Sequence, residues 1–189
     1  KKDFVVEKVV SRQRCRQPAA PFTTSTMQQE ANKRLGYRTR RTMSIAQQLY
    51  EGISLGKQGT VGLITYMRTD SKRTSPVAQQ EASKFLHENY GAEFAAKSQR
   101  HFKNQEDAQD AHEAIRPTSV YRTPESLKDV LTKEQYRLYK LIWSRFLASE
   151  MTPAVYDTVR ADIVQNGVIF RTTGSKMKFA AFPKVYDNQ

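Results

Sequence analysis

The feature that most constrains the fold of this chain is a change of hydrophobic periodicity near each end. Residues 4–10 are rich in β-branched side chains and alternate, which predicts a strand, and the proline-bounded segment 18–21 ends it. Residues 155–173 return to a β pattern around Asn166-Gly167, a dipeptide typical of hairpin turns, and residues 177–185 suggest a further strand. Between these ends, apolar residues recur at helical spacing. The sequence therefore predicts a helical middle flanked by β segments.

The helical middle carries several capping signals. Thr24 or Ser25 is expected to cap a first helix, and Gly36 closes it because glycine tolerates the left-handed conformation. Thr132 and Gln135 form a capping box at the start of a long last helix with one mainly apolar face. The predicted helices cover about residues 25–35, 41–51, 76–90 and 132–150, with shorter ones at 106–114 and after residue 123.

The two β ends suggest one domain that the helical segment interrupts. The predicted fold class is mainly α with flanking β, a multidomain α+β arrangement. Residues 22–151 form the helical domain, and residues 1–21 and 152–189 are parts of the β-rich one. The first two helices are joined by a short turn, which makes the helical domain resemble a helix-turn-helix, although many helical bundles share that pattern.

The charge balance favours a polyanionic partner. The chain has 31 Lys and Arg against 19 Asp and Glu, a net charge of +12. No acidic residue lies between Ala31 and Tyr50, and this stretch supplies four candidate DNA contacts: Lys33, Arg34, Arg40 and Arg41. The N-terminal stretch adds Lys8, Arg12, Arg14 and Arg16. No apolar run approaches the ~18 residues of a membrane span, so no membrane partner is expected. No small-molecule substrate is expected either.

One segment has residues suited to phosphodiester chemistry. Tyr66 ends a predicted short strand, residues 59–66, and Arg68 follows in a polar loop. A tyrosine at a strand end usually only packs. As a nucleophile, however, a phenol must lose its proton as it attacks, and a guanidinium stabilises the phosphoryl oxygens through paired hydrogen bonds. Because residues two apart on an extended segment share a face, Tyr66 and Arg68 can address one phosphate.

Three segments resemble motifs of the bacterial type IA DNA topoisomerases, in that family's order. Gly62-Leu-Ile-Thr-Tyr-Met-Arg-Thr-Asp-Ser71 resembles the active-site segment. Pro21-Phe-Thr-Thr-Ser-Thr-Met-Gln-Gln-Glu-Ala31 resembles the entry into the catalytic helical domain, and Asp110-Ala-His-Glu-Ala-Ile-Arg-Pro-Thr118 resembles the His-containing motif. Together they span nearly the whole helical region.

The resemblance implies a mechanism. The tyrosine matching Tyr66 cuts one DNA strand and stays joined to its 5′ phosphate while the other strand passes, which relaxes negatively supercoiled DNA without ATP. The arginine matching Arg68 stabilises the scissile phosphate, and the histidine matching His112 contacts the nucleotide or the phosphate network. Arg116 is a further candidate for a phosphate contact, although an arginine before proline can simply pack. The implied partner is single-stranded DNA at the cleavage site, and the implied location is the cytoplasm, in association with the nucleoid.

The resemblance also bears on domains and metal. It implies that the β ends belong to an arch that forms the gate around a central hole. The family's magnesium is held by an N-terminal domain with an Asp-x-Asp motif, which this sequence lacks. Magnesium is therefore expected in the full-length enzyme, and this fragment alone is expected to be inactive. Asp107, Asp110 and Glu113, three apart on a predicted helix, are a weaker candidate metal set, because acidic residues at a solvated helix start explain them more simply.

Two other functions fit parts of the pattern. A basic helix-turn-helix module without chemistry would bind duplex DNA selectively and use residues 41–51 as its recognition helix. A tyrosine recombinase would place its tyrosine near the chain end and its arginines far apart, whereas Tyr66 lies early and close to Arg68.

Overall fold

The computed structural model describes residues 4–102 and 112–186. The following helices and strands are those that position the site. In chain order they are β1 (Val5–Arg16), α1 (Thr24–Leu35), α2 (Thr39–Glu51), β2 (Ile53–Ser54), β3 (Thr60–Val61), α3 (Pro76–Asn89), α4 (Lys133–Ser149), β4 (Ala154–Gln165) and β5 (Val168–Phe179).

The two ends of the chain meet in one antiparallel sheet with the strand order β1-β4-β5. The predicted hairpin is confirmed, because Asn166 and Gly167 have φ values of 52° and 77° at the turn between β4 and β5. The separate strand predicted at residues 177–185 is wrong. Strand β5 itself runs to Phe179, and Phe182–Lys184 forms a 3₁₀ turn around Pro183, which has no N–H for a strand ladder. The domain division at residues 21/22 and 151/152 stays a prediction.

The helix caps agree closely with the sequence signals. Gly36 closes α1 in the left-handed region at φ 72°, and the capping box of Thr132 and Gln135 is present at α4. The cap of α1 is one residue earlier than expected, since the side chain of Thr23 accepts the hydrogen bond from the Thr26 amide. Thr24 and Ser25, the two predicted caps, are instead the first two helical residues.

Helix α4 is the centre of the helical core. The predicted single apolar face is too narrow a description, because Leu138 and Leu147 are fully buried and so is Tyr139 between them. The polar atoms of its two buried aromatic residues have hydrogen-bond partners. The Tyr139 hydroxyl donates to the Arg122 carbonyl at 2.6 Å, and the Trp143 indole donates to the Val120 carbonyl at 2.9 Å. Burying an apolar side chain of this size stabilises the fold by about 1.5–3 kcal/mol. Helices α1 and α2 both pack against α4.

Other predicted elements are shorter than expected. The strand predicted at residues 59–66 is reduced to β3, which pairs with β2, and a single bridge between Ile64 and Pro117. The helix predicted after residue 123 is one 3₁₀ turn, Glu125–Leu127. Most of the helix predicted at 106–114 lies outside the described residues, and residues 112–114 are not helical.

The helix-turn-helix expectation is not established by the packing. Helices α1 and α2 contact each other, but α2 packs more extensively on α4, burying Ile45, Ala46 and Leu49. Across residues 4–102 and 112–186, we find no helix of the length and apolarity needed to cross a membrane.

Candidate active site

The three motif segments, distant in sequence, meet at one place. Short β-like contacts join them, and each is a backbone hydrogen bond between two motifs: Ile115 N to Phe22 O at 2.8 Å, Thr65 N to Arg116 O at 2.9 Å, and Thr118 N to Leu63 O at 2.9 Å. Phe22, Leu63 and Ile115, whose backbones take part in these bonds, have side chains buried in the hydrophobic core. In these bonds the His-containing motif is joined to both of the other motifs, so it fixes the tyrosine segment and the entry segment to one place.

Thr65 fixes the backbone immediately before the candidate nucleophile. Its hydroxyl donates to the Ala114 carbonyl at 2.7 Å and accepts a hydrogen bond from the Arg116 amide at 3.0 Å. Both partners belong to the His-containing motif, so the position of Tyr66 relative to His112 is set by hydrogen bonds of neighbouring residues on each side.

Tyr66 lies between two aromatic rings near the surface. Its ring centroid is 5.1 Å from that of His112, which is exposed, and 5.4 Å from that of Tyr50 in an edge-to-face contact. Tyr66 itself is half-buried, and its hydroxyl makes no hydrogen bond to any residue that the structure describes. The sequence gives no signal for the contact with Tyr50, because the two rings meet through tertiary packing.

Arg68 is an exposed cation on a fixed backbone. Met67 and Thr69 on either side of it are buried, with 4% and 8% of their surfaces exposed. The Arg68 guanidinium has no hydrogen-bond or ion-pair partner within residues 4–102 and 112–186. The arrangement leaves its charge available to an incoming phosphate.

Glu113 braces the His-containing motif. Its carboxylate accepts hydrogen bonds from Arg116 Nε at 2.7 Å and from the Ser75 amide at 3.2 Å, at the start of α3. Partial burial opposes ionisation of Glu113, but the hydrogen bond and charge of Arg116 outweigh it and hold the pKa of this carboxyl below its usual value. Arg116 is thus used to position the motif, and its contact with DNA phosphate remains a prediction.

The other candidate DNA contacts fall into two groups. Lys33 and Arg40 are exposed, with no ion-pair partner in the part of the chain that the structure describes. Arg34 binds Glu30 at 2.7 Å and packs on the ring of Tyr186, while Arg41 pairs with Glu134. The first two are therefore the freer candidates for phosphate.

A basic surface that the sequence indicated only in part lies on the sheet. Because side chains alternate between faces along a strand, the strand register assigns six cations to one face: Lys8, Arg12, Arg14, Arg16, Arg160 and Arg171. Asp162 lies on the same face and pairs with Arg171 at 2.7 Å and Arg160 at 3.7 Å. Lys176 and Asp157 lie on the opposite face. We call the six-cation surface the basic sheet face.

The described residues do not themselves offer a magnesium site. Within residues 4–102 and 112–186, no three His, Cys, Asp or Glu side chains are grouped closely enough to hold a metal ion. Glu113 is engaged by Arg116 and Ser75, and its two predicted companions, Asp107 and Asp110, lie outside the described residues. The location of magnesium in another domain stays a prediction.

Comparison with known proteins agrees with the site. The sequence model of a family described as DNA topoisomerase matches residues 1–189. The structure is similar to full-length topoisomerase I from Thermotoga maritima, with 42% sequence identity and a TM-score of 0.85. The match covers 98% of this chain and 30% of the T. maritima chain, so this chain spans less than a third of that protein. With a family match over its whole length, the chain belongs to the bacterial type IA DNA topoisomerases.

Proposed function

We propose that this chain carries the catalytic tyrosine of a type IA topoisomerase that relaxes negatively supercoiled DNA without ATP. The observation that carries the proposal is the convergence of three motifs around Tyr66, with His112 against its ring and Arg68 unpaired two residues on. A helix-turn-helix module without chemistry would need none of these contacts.

In the proposed step, the Tyr66 oxygen attacks the phosphorus of one DNA strand. A bond forms between this oxygen and phosphorus, and the bond from phosphorus to the 3′ oxygen breaks, leaving a 5′-phosphotyrosine and a free 3′ hydroxyl. The phenol loses a proton and the 3′ oxygen gains one, so atoms and charge balance. Resealing is the same exchange in reverse. No ATP is consumed, because one phosphodiester bond replaces another.

Two neighbouring side chains have distinct roles in this proposal. Arg68 donates paired hydrogen bonds to the phosphoryl oxygens as negative charge builds on them. His112, exposed beside the Tyr66 ring, contacts the nucleotide or its phosphate and so helps to align the strand. Magnesium, bound by another domain, would supply further positive charge at the DNA. The β-rich ends would belong to the arch that opens as a gate, and the enzyme would act on nucleoid DNA in the cytoplasm.

The deciding experiment maps the covalent DNA adduct. In a complete topoisomerase carrying this segment, the adduct formed on single-stranded DNA is trapped, digested and located by mass spectrometry. Tyr66→Phe should abolish adduct and relaxation without unfolding the protein. Tyr50→Phe is the matched control, since Tyr50 is the adjacent phenol, and it should retain the adduct. An adduct on another residue, or one that persists in Tyr66→Phe, would overturn the proposal.

A further inference from the structure

We propose that Thr24, at the first position of α1, is a positioning residue that holds the Arg68 backbone in its reactive place. The inference rests on the proposed function, because it concerns how Arg68 is presented to the scissile phosphate. It adds a specific task for a residue that the sequence suggested only as a helix cap.

Thr24 makes hydrogen bonds to the two residues that flank Arg68, Met67 and Thr69. The Thr24 hydroxyl lies 2.7 Å from the Met67 carbonyl oxygen and 3.1 Å from the Thr69 carbonyl oxygen, and it accepts a hydrogen bond from the Thr69 amide at 2.9 Å. The Thr24 amide also donates to the Thr69 carbonyl at 2.9 Å. This last bond satisfies one of the unpaired amides at the helix start.

The side-chain hydroxyl is the group through which Thr24 acts on both neighbours of Arg68. The hydroxyl proton serves the carbonyl before Arg68, and the oxygen serves the amide after it. If the hydroxyl is removed, both groups lose this partner, and the partly buried loop must rearrange or hydrate to recover a bond. The methyl group of threonine takes no part in these bonds, so a serine at position 24 should keep them.

The expected consequence is a slower chemical step with unchanged DNA binding. Arg68 is exposed and otherwise unpaired within the described ranges, so its orientation depends on the backbone that carries it. A small misplacement of a charge at the reacting centre costs rate because the geometry for attack is populated less often. We expect Thr24→Val to lower the single-turnover cleavage rate about tenfold and Thr24→Ser to restore it.

Thr26 provides a control in the same turn of helix. Its hydroxyl accepts from the Thr23 amide at 2.9 Å and so completes the capping box, and its hydrogen bonds are made to Thr23 and not to residues 67–69. Thr26→Val should lower the melting temperature of the helical region, as loss of a cap does, while cleavage in the folded protein stays at the original rate.

The test is a double-mutant cycle on the cleavage rate in the complete enzyme. Thr24→Val, Arg68→Lys and their combination are measured with saturating single-stranded DNA, alongside DNA affinity and melting temperature. If Thr24 acts through Arg68, the Thr24→Val loss should shrink or vanish in the Arg68→Lys background. Equal losses in both backgrounds, an unaltered rate in Thr24→Val, or an equal loss in Thr26→Val would each overturn the inference. Thr24→Ala replaces Thr24→Val if the valine variant does not fold.

The same assay separates this inference from the proposed function. An adduct that persists in Tyr66→Phe refutes the assignment of the nucleophile, and the inference about Thr24 fails with it. If Tyr66→Phe abolishes the adduct while Thr24→Val cleaves at the original rate, only the positioning role of Thr24 is refuted.

Discussion

The rings of Tyr66 and His112 lie 5.1 Å apart, centroid to centroid, with their planes inclined at 47°. The two residues are distant in sequence: Tyr66 follows the bridge at Ile64, and His112 belongs to a different motif. It is supported on both sides by hydrogen bonds: the Thr65 hydroxyl donates to the Ala114 carbonyl, and the Ser75 amide donates to the Glu113 carboxylate. The exposed imidazole is therefore held beside the phenol by tertiary structure.

His112 should matter for cleavage and little for folding. Because it is exposed, His112→Ala removes no core packing and should cost no more than about 0.5 kcal/mol, which lowers the melting temperature by at most about 1–2 °C. The cleavage rate should fall clearly. His87→Ala, an exposed histidine on α3, is the control and should cleave normally. Unimpaired cleavage by His112→Ala would remove this residue from the active site, and a large drop in melting temperature would indicate a structural histidine.

The cleavage rate should depend on the shape of the cation at position 68. Arg68→Lys keeps the charge but loses the planar pair of donors that matches two phosphoryl oxygens. The cleavage rate should fall by about 10²-fold, comparable to the loss of one donor at an oxyanion, whereas affinity for single-stranded DNA should change little. The measurement is single-turnover cleavage together with a binding isotherm. A lysine variant with the original rate would show that only net charge is required.

The basic sheet face predicts a steep dependence of DNA binding on salt. Each phosphate neutralised on a single strand contributes a slope of about −0.7 in log K against log salt concentration. Arg12 and Arg14 are exposed and have no ion-pair partner in the part of the chain that the structure describes, so Arg12→Ala combined with Arg14→Ala should reduce the slope magnitude by about 1.4. Lys176→Ala, on the opposite face, should leave the slope unaltered. Affinity that does not vary with salt would refute the polyanion interpretation.

Local signals in the sequence predicted most of the helices and the hairpin. The cap at Thr132, the stop at Gly36 and the turn at Asn166-Gly167 each depend on a few neighbouring residues, so they can be predicted without knowing the fold. The error at residues 177–185 has the same origin. A β-prone stretch predicts extended chain, but only the hydrogen-bond partner in β4 decides where β5 ends.

The candidate site was predictable in its residues and not in its contacts. The spacing of Tyr66 and Arg68 is local, whereas the contacts of Tyr50 and Thr24 with that segment depend on how helices α1 and α2 pack. The charge pattern likewise identified basic residues without showing that Arg41 is paired with Glu134. Ion pairs between distant segments form only when the fold brings them together, so composition overestimates the free cations.

Glu150, at the C-terminal end of α4, is a buried acid. Only 5% of its surface is exposed, and Oε1 has no hydrogen-bond partner among the residues that the structure describes. Burial raises the pKa of Glu150 to about 7, and the nearby charge of Arg100 offsets only part of that effect. Arg100 meanwhile donates to the Met151 carbonyl at 2.7 Å and to Gln17 at 3.1 Å, where the helical region meets the sheet.

Glu150 should therefore make the protein less stable as the pH rises from about 4.5 to about 7. In this window the unfolded chain has released the proton and the folded chain still binds it, so rising pH favours unfolding. Glu150→Gln removes the titration and should stabilise the chain at pH 8 by on the order of 1–3 kcal/mol, with little effect near pH 4.5. Thermal unfolding followed by circular dichroism at both pH values measures this, with the exposed Glu51→Gln as control. A glutamine variant that is no more stable than the original at pH 8 would show that Arg100 fully compensates the buried charge.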